Sequence, residues 1–127
     1  MYQQLTANLM VESIEETLAF YTEKLGFSLV ASVPHADGYL QFAIVAKDGL
    51  NLMFQERRNF IEEYPMLEAS VTKPSVSLFI NVSDFDELYD ALKSEVTLAA
   101  DLHKTFYGTK EFAVLDNTGY VLTFAEK

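Results

Sequence analysis

The sequence predicts an α+β protein made of two duplicated βαβββ modules. Three observations carry that expectation. The hydrophobic pattern reads strand, helix, strand, strand, strand, and the second half repeats the order. Individual residues recur at a fixed separation: Phe42-Ala-Ile-Val45 answers Phe112-Ala-Val-Leu115, Gly49 answers Gly119, Phe54 answers Phe124 and Glu56 answers Glu126, each seventy positions on. The chain has 127 residues and is half apolar, enough for one domain with a real core and too short for two of ordinary size. A period this long, occurring only twice, excludes a solenoid.

The first module opens with an alternating segment, Leu5 to Val11. Ser13-Ile-Glu-Glu16 follows as a capping box, in which the Ser oxygen accepts from first-turn N–H groups and Glu16 reaches back. Ile14, Leu18, Tyr21 and Leu25 recur at helical spacing, and Gly26 supplies a left-handed stop that Phe27 closes hydrophobically. Three extended stretches come next: Phe27 to Val33, Tyr39 to Ala46, and Leu50 to Gln55. The last two are joined by Lys47-Asp48-Gly49, a hairpin signal.

In the second module Val76 to Val82 is a strand, and Asp84-Phe-Asp-Glu87 is a second capping box. It opens a helix with Phe85, Leu88, Tyr89 and Leu92 on the apolar face. Val96 to Ala100 is a weak strand. Lys110 to Leu115 and Tyr120 to Ala125 are strong ones, joined by Asp116-Asn-Thr-Gly119. The helix starts, Ser13 and Asp84, are seventy-one apart, so one loop residue separates the two registers. The expected organisation is a single domain over 1–127, with module 1 at about 1–56, a linker at about 57–74 carrying a helical turn around Phe60 to Tyr64, and module 2 at about 75–127.

Composition narrows function. Seventeen Tyr and Phe residues argue against disorder despite a net charge of −10. No cysteine is present, which excludes a disulfide framework, a thiolate nucleophile and a sulfur-based zinc site. The acidic balance repels phosphate backbones, so no nucleic-acid partner is expected. No apolar run reaches the length of a membrane span, and the first residues lack the pattern of a signal peptide. The expectation is a cytoplasmic protein without membrane contact.

Several local signals now fall in order: Phe20-Tyr21 followed by Leu25-Gly26-Phe27, then Asp84-Phe-Asp-Glu-Leu-Tyr89, then Tyr107-Gly-Thr-Lys-Glu-Phe112 with Asp116-Asn-Thr-Gly119-Tyr120. Placed on the duplication, they resemble the vicinal oxygen chelate superfamily, which contains glyoxalases, extradiol dioxygenases and bleomycin-resistance proteins. The closing segment looks most like the bleomycin-resistance group, where an aromatic-Gly pair precedes an Arg/Lys-Glu-Phe strand. The resemblance implies an eight-stranded, incompletely closed sheet with the site on its concave side. It also implies a homodimer whose ligand crevices are built by both subunits.

Most enzymes of that superfamily hold a divalent metal with His, Gln or Glu at four strand positions. Those positions correspond here to Thr6, Met53, Ser77 and Thr123, none of which is a usual ligand. The two histidines, His35 and His103, sit in expected loops elsewhere. The expectation is therefore no metal and no cofactor, and neither glyoxalase nor extradiol chemistry of the metal-dependent kind.

Strand alternation sorts the side chains by face. Leu5, Ala7, Leu9, Val11, Leu50, Leu52, Phe54, Val76, Leu78, Ile80, Leu122 and Phe124 form an apolar set expected to pack under the helices. The opposite face of the same strands carries Thr6, Asn8 and Met10; Asn51, Met53 and Gln55; Ser75, Ser77, Phe79 and Asn81; Val121 and Thr123. It is polar, amide-rich and uncharged. Buried dry, those groups would each need a partner; a wet face that receives a ligand satisfies them.

Tyr39, Phe106 and Tyr107 lie in or beside loops, where they are suited to stack on a planar or cationic ligand. Asp37 and Glu111 add negative potential. No Ser–His–acid triad, nucleophile elbow or phosphate loop is present. The expected ligand-binding residues are thus Tyr39, Asn51, Met53, Ser77, Phe79, Phe106, Tyr107 and Thr123, with no catalytic residue assigned. The expected function is a metal-free protein that binds a small molecule, sequestering a bleomycin-type or other cationic or aromatic compound. The alternatives are a divergent lyase or isomerase of the same superfamily, and a module whose polar face meets a protein partner.

Overall fold

In the computed structural model, which describes residues 1–127, each half of the chain forms its own four-stranded sheet. The chain divides into two units, Met1–Lys73 and Pro74–Lys127. The first contains β1 (Asn8–Val11), α1 (Ile14–Glu23), β2 (Ser28–Pro34), β3 (Leu40–Lys47), β4 (Leu50–Glu56) and α2 (Arg57–Glu63), then a 3₁₀ turn at Pro65–Leu67. Its strand order is β1-β4-β3-β2, with β1 parallel to β4 and the other neighbours antiparallel.

The Ser13 hydroxyl accepts from the Glu16 N–H at 3.1 Å, which starts α1 as expected. The helix ends where Gly26 adopts φ +76° and the Phe27 N–H donates to the Tyr21 carbonyl at 2.9 Å. That six-residue closure needs the left-handed conformation glycine adopts without a Cβ clash. Ile14, Thr17 and Tyr21 are the buried side of α1. The Tyr21 ring lies 4.8 Å from Phe54 and 5.7 Å from Phe27, above a sheet face of Leu9, Val11, Ala43, Val45 and Leu52, all buried.

Three members of the expected apolar set stay outside the cores. Leu5 is 92% exposed because β1 begins at Asn8, not at Leu5, so no strand holds it against the helix. Leu50 begins β4 beside the hairpin turn, and Val76 precedes β5; both are about half exposed. The linker segment is more helical than the expected single turn. Glu56, itself buried, caps α2 by accepting from the Arg58 and Asn59 N–H groups, and α2 buries Phe60. Arg57 pairs with Glu12 at 2.8 Å and Thr72 donates to the same carboxylate, tying the segment back to the end of β1. Burial raises the Glu12 carboxyl, but the hydrogen bonds from Thr72 and Arg57 outweigh it and hold it below its ordinary value.

The second unit contains β5 (Ser77–Val82), α3 (Phe85–Leu92), β6 (Thr97–Lys104), β7 (Lys110–Leu115) and β8 (Val121–Glu126), in the order β5-β8-β7-β6. β6 runs four residues past the expected end at Ala100. Asp84 stands at the start of α3 but with φ +53° and ψ +41°, and its side chain makes no cap bond. An N-cap side chain reaches the first-turn N–H groups from an extended backbone, so the left-handed Asp84 does not close the expected box. The core is aromatic: Phe112 meets Phe85, Tyr89 and Phe124 at ring distances of 5.2–5.4 Å.

Strand register separates the two modules where the sequence repeat joins them. Phe42 stands opposite Gln55, whereas Phe112 stands opposite Phe124. Two single-residue differences cause this. Gln41 is an extra residue on β3, since Leu40 pairs with Pro34 and Phe42 with Val33. Five residues separate the paired Leu115 and Val121, against four between the equivalent pair Ala46 and Asn51. The register counterpart of Phe112 is therefore Ala43, and that of Phe42 is Glu111. Phe42 faces away from the core of its own module, whereas Phe112 fills the core of the other. No helix in the chain is long and apolar enough to cross a membrane.

Candidate functional site: the polar sheet faces

Pairing places Asn8 beside Met53, Met10 beside Gln55, and Asn51 beside Ala46, on the face of the first sheet opposite its core. Asn8, Met10, Asn51 and Met53 are half-buried there, and Gln55 is buried. The amides are joined in a chain. Asn8 Nδ2 donates to Gln55 Oε1 at 2.9 Å, and Gln55 Nε2 donates to Asn59 Oδ1 at 2.7 Å and to Glu63 Oε1 at 3.3 Å. Asn59 Nδ2 donates to Gln41 Oε1 at 3.2 Å. Sequence reading placed Asn8 and Gln55 on this face but missed Gln41, Asn59 and Glu63, because a β-bulge and the helix after β4 bring them there.

Tyr39 lies at the end of the β2–β3 hairpin, just before β3. His35 stacks on its ring at 4.5 Å and 12°, and the Arg58 guanidinium sits 4.1 Å from the ring centre. Both groups therefore lie within stacking distance of the Tyr39 ring. Arg58 is in turn held by Glu56 at 2.8 Å. A ligand stacking on Tyr39 competes with these neighbours for ring surface.

In the second sheet Phe79 pairs with Thr123, and Ser77 with Val121, on the face opposite the aromatic core. Phe79 is 57% exposed. The expected absence of charge from this face is corrected by register: Glu111 pairs with Ala125, which puts its buried carboxylate on the same face as Thr123. Alternation along the four inner strands does not reach Glu111, which lies on β7.

Phe106 and Tyr107 occupy the tip of the β6–β7 hairpin, closed by Thr105 N–H to Thr109 O at 2.8 Å and Gly108 N–H to Thr105 O at 3.0 Å. Phe106 is fully exposed, and its ring meets Tyr107 edge-on at 5.0 Å. The Tyr107 hydroxyl donates to Glu111 Oε2 at 2.6 Å. That bond, reinforced by burial and by the negative charge of Glu111, raises the Tyr107 phenol above its ordinary value. A phenol raised in the folded state contributes stability below the ordinary tyrosine value of about 10, lost as pH climbs through the raised value. Glu111→Gln is therefore expected to lower the pH at which Tyr107 ionises. The phenolate absorbance, taken as the difference from Tyr107→Phe, checks this; an unmoved titration contradicts the assignment.

The four positions where the superfamily resemblance implies metal ligands do not fit a divalent metal centre. Thr6, Met53, Ser77 and Thr123 offer neutral hydroxyls and one soft thioether, with no imidazole or carboxylate among them. No group of three or more His, Asp and Glu side chains converges anywhere in the structure.

Comparison with known proteins places this architecture. The Glyoxalase/Bleomycin resistance protein/Dioxygenase superfamily model matches residues 3–124. No curated protein matches the chain in sequence. Among solved structures, TioX from Micromonospora sp. ML1 is similar over 98% of both chains, at 17% identity and a TM-score of 0.73. A glyoxalase-related enzyme from Fulvimarina pelagi aligns over 99% of this chain and 89% of its own, at 22% identity and 0.78. A glyoxalase/bleomycin resistance protein/dioxygenase from Alicyclobacillus acidocaldarius aligns over 98% and 90%, at 20% identity and 0.70. At such identities the likeness is one of fold. The family match spans nearly the whole sequence, and the chain belongs to the glyoxalase/bleomycin resistance protein/dioxygenase superfamily.

Proposed function

We propose that this protein is a metal-free small-molecule binding protein that sequesters a cationic or aromatic compound, of which a bleomycin-type antibiotic is one candidate. The observation that carries the reading is the character of the polar sheet faces. Each pairs half-buried polar groups with flexible or aromatic apolar ones: Asn51 with Met53 in the first sheet, Thr123 with Phe79 in the second. Such mixtures serve ligands that bring both an apolar body and hydrogen-bonding groups. The donor set at the family's metal positions favours binding over metal-dependent turnover. A net charge of −10 steers a cationic ligand toward the protein. The exposed Phe106 and Tyr107 offer ring surface at a hairpin tip, where a planar cation gains from stacking. In this reading the binding species is a homodimer in the cytoplasm.

The test is calorimetric titration of the metal-free protein with a bleomycin-type compound at two salt concentrations. Saturable binding that weakens with salt is the expected result. A flat titration at micromolar protein removes that compound class. Stoichiometric metal in the purified protein would turn the reading toward an enzyme.

A further inference from the structure

The amide chain on the first sheet has a direction, and the direction leaves one atom over. A primary amide can be turned end for end, so which end faces which neighbour must be settled by the network. Here the settling group is Glu63. A carboxylate oxygen accepts, so Gln55 points its NH₂ toward Glu63, and Asn59 turns its own oxygen to accept from the same NH₂; the reverse orientation of Gln55 would bring its oxygen against the carboxylate. Gln55 Oε1 then faces Asn8 and accepts from Asn8 Nδ2. That leaves Asn8 Oδ1 at the end of the chain. It is buried, and it receives no hydrogen bond from the protein.

Hydrogen bonds aligned head to tail polarise one another. A chain that begins at a carboxylate and ends at a carbonyl oxygen makes that last oxygen a stronger acceptor than an isolated amide. Around it the sheet face carries Met53, paired with Asn8, and Met10, paired with Gln55. Methionine is unbranched and adaptable, so a buried acceptor beside it can be reached by side-chain movement without disturbing the strands. The second sheet has no equivalent: by register, Phe79 stands where Asn8 does and Ala125 where Gln55 does.

We propose that Asn8 Oδ1 is the acceptor of a subsite, on the Met10–Met53 face of the first sheet, for a planar cationic N–H donor of the amidine or guanidine class. The proposal rests on the ligand-binding reading above and gives it a chemical class. The acceptor selects for N–H, the carboxylate-anchored chain favours a positively charged donor, and the methionines accommodate its apolar body.

Three matched probes test it: benzamidine, benzamide and methyl benzoate, which present a cationic donor, a neutral donor and an acceptor on the same ring. Each is titrated into the ¹⁵N-labelled full chain while the side-chain amide signals of Asn8 and Gln55 are followed. The expected result is a saturable shift of both signals with benzamidine, weaker binding of benzamide, and about a tenfold or greater loss for the ester, the size of a charge-assisted hydrogen bond. Glu63→Gln, which touches no ligand but allows the amide chain to reverse, is expected to reduce the preference for benzamidine. Asn8→Leu is expected to remove it. Because Asn8→Leu also strips a partner from Gln55, the Glu63→Gln comparison keeps the test valid if that variant folds poorly. If the three probes shift Asn8 equally, or bind while moving only other residues, the subsite is wrong and the binding reading stands. If an ordered water already satisfies Asn8 Oδ1, the probes do not discriminate, and the proposal fails in the same way. No perturbation by any probe overturns the subsite and leaves the calorimetric titration to decide the broader reading.

Discussion

Replacing Phe112 by Ala is expected to cost about 3–5 kcal/mol, while replacing Phe42 by Ala costs roughly 1–2 kcal/mol or less. The two residues open near-identical quartets seventy positions apart, so sequence similarity alone assigns them the same role. Register assigns them different ones. Phe112 is fully buried and packs its ring against Phe85, Tyr89 and Phe124, so truncation leaves a cavity with the second module's aromatic core around it. Phe42 lies on the opposite face, half-buried, beside Gln55. Against a total stability of about 5–15 kcal/mol for a domain of this size, the first loss is severe and the second tolerable. Urea unfolding of the two variants measures the difference. Equal losses would show that both rings face a core and that the register difference is not real.

The second large effect is expected at Asp116. Its Oδ1 accepts from the backbone N–H groups of Thr118, Gly119 and Tyr120, each at 2.9 Å, while its own N–H donates to the Tyr120 carbonyl. One buried carboxylate thereby holds the whole loop between β7 and β8. Asp116→Ala leaves three donors without that acceptor and is expected to cost about 3 kcal/mol, since bonds to a charged group are each worth roughly 1.5–3 and water recovers part of the loss. Asp116→Asn keeps an oxygen in place and is expected to cost about 1 kcal/mol. Hydrogen exchange at residues 118–120 should accelerate in the Ala variant and change little in the Asn variant. An Ala variant as stable as the parent would mean that the loop is held by something else. The consequence reaches beyond the loop, because its length sets which residue of β8 meets Phe112. A slip of one residue turns alternate side chains to the wrong face.

Much of the architecture was legible in the residues. The αL stop at Gly26, the Ser13 cap and the strands around both hairpin turns stand where apolar periodicity and turn chemistry put them. The errors have a common origin. Leu5 continues the alternation of a strand, but a strand exists only where a partner pairs with it, and the register with β4 begins at Asn8. Asp84 resembles Ser13 as a cap in type and spacing; its backbone conformation, set by the chain's entry into α3, denies its side chain the first-turn N–H groups. The candidate site was read in part. Alternation found the amide-bearing face, yet Gln41, Asn59 and Glu63, which orient the amides, come from a bulge and a helix that alternation does not describe.

The sequence by itself determined the α+β class, the two βαβββ repeats, the positions of α1 and α3 and the acidic, cysteine-free composition. These follow from local rules: 3.6-residue and two-residue periodicity, glycine at positive φ, and counts of charge. Tertiary structure decided which face each side chain occupies. Because a strand alternates with a period of two, one inserted residue reverses every assignment beyond it, and whether a residue is inserted depends on hydrogen bonding between strands distant in sequence. Gln41 makes that difference in the first module and the Asp116 loop in the second. Through them, two like segments become a core aromatic in one sheet and part of a polar face in the other.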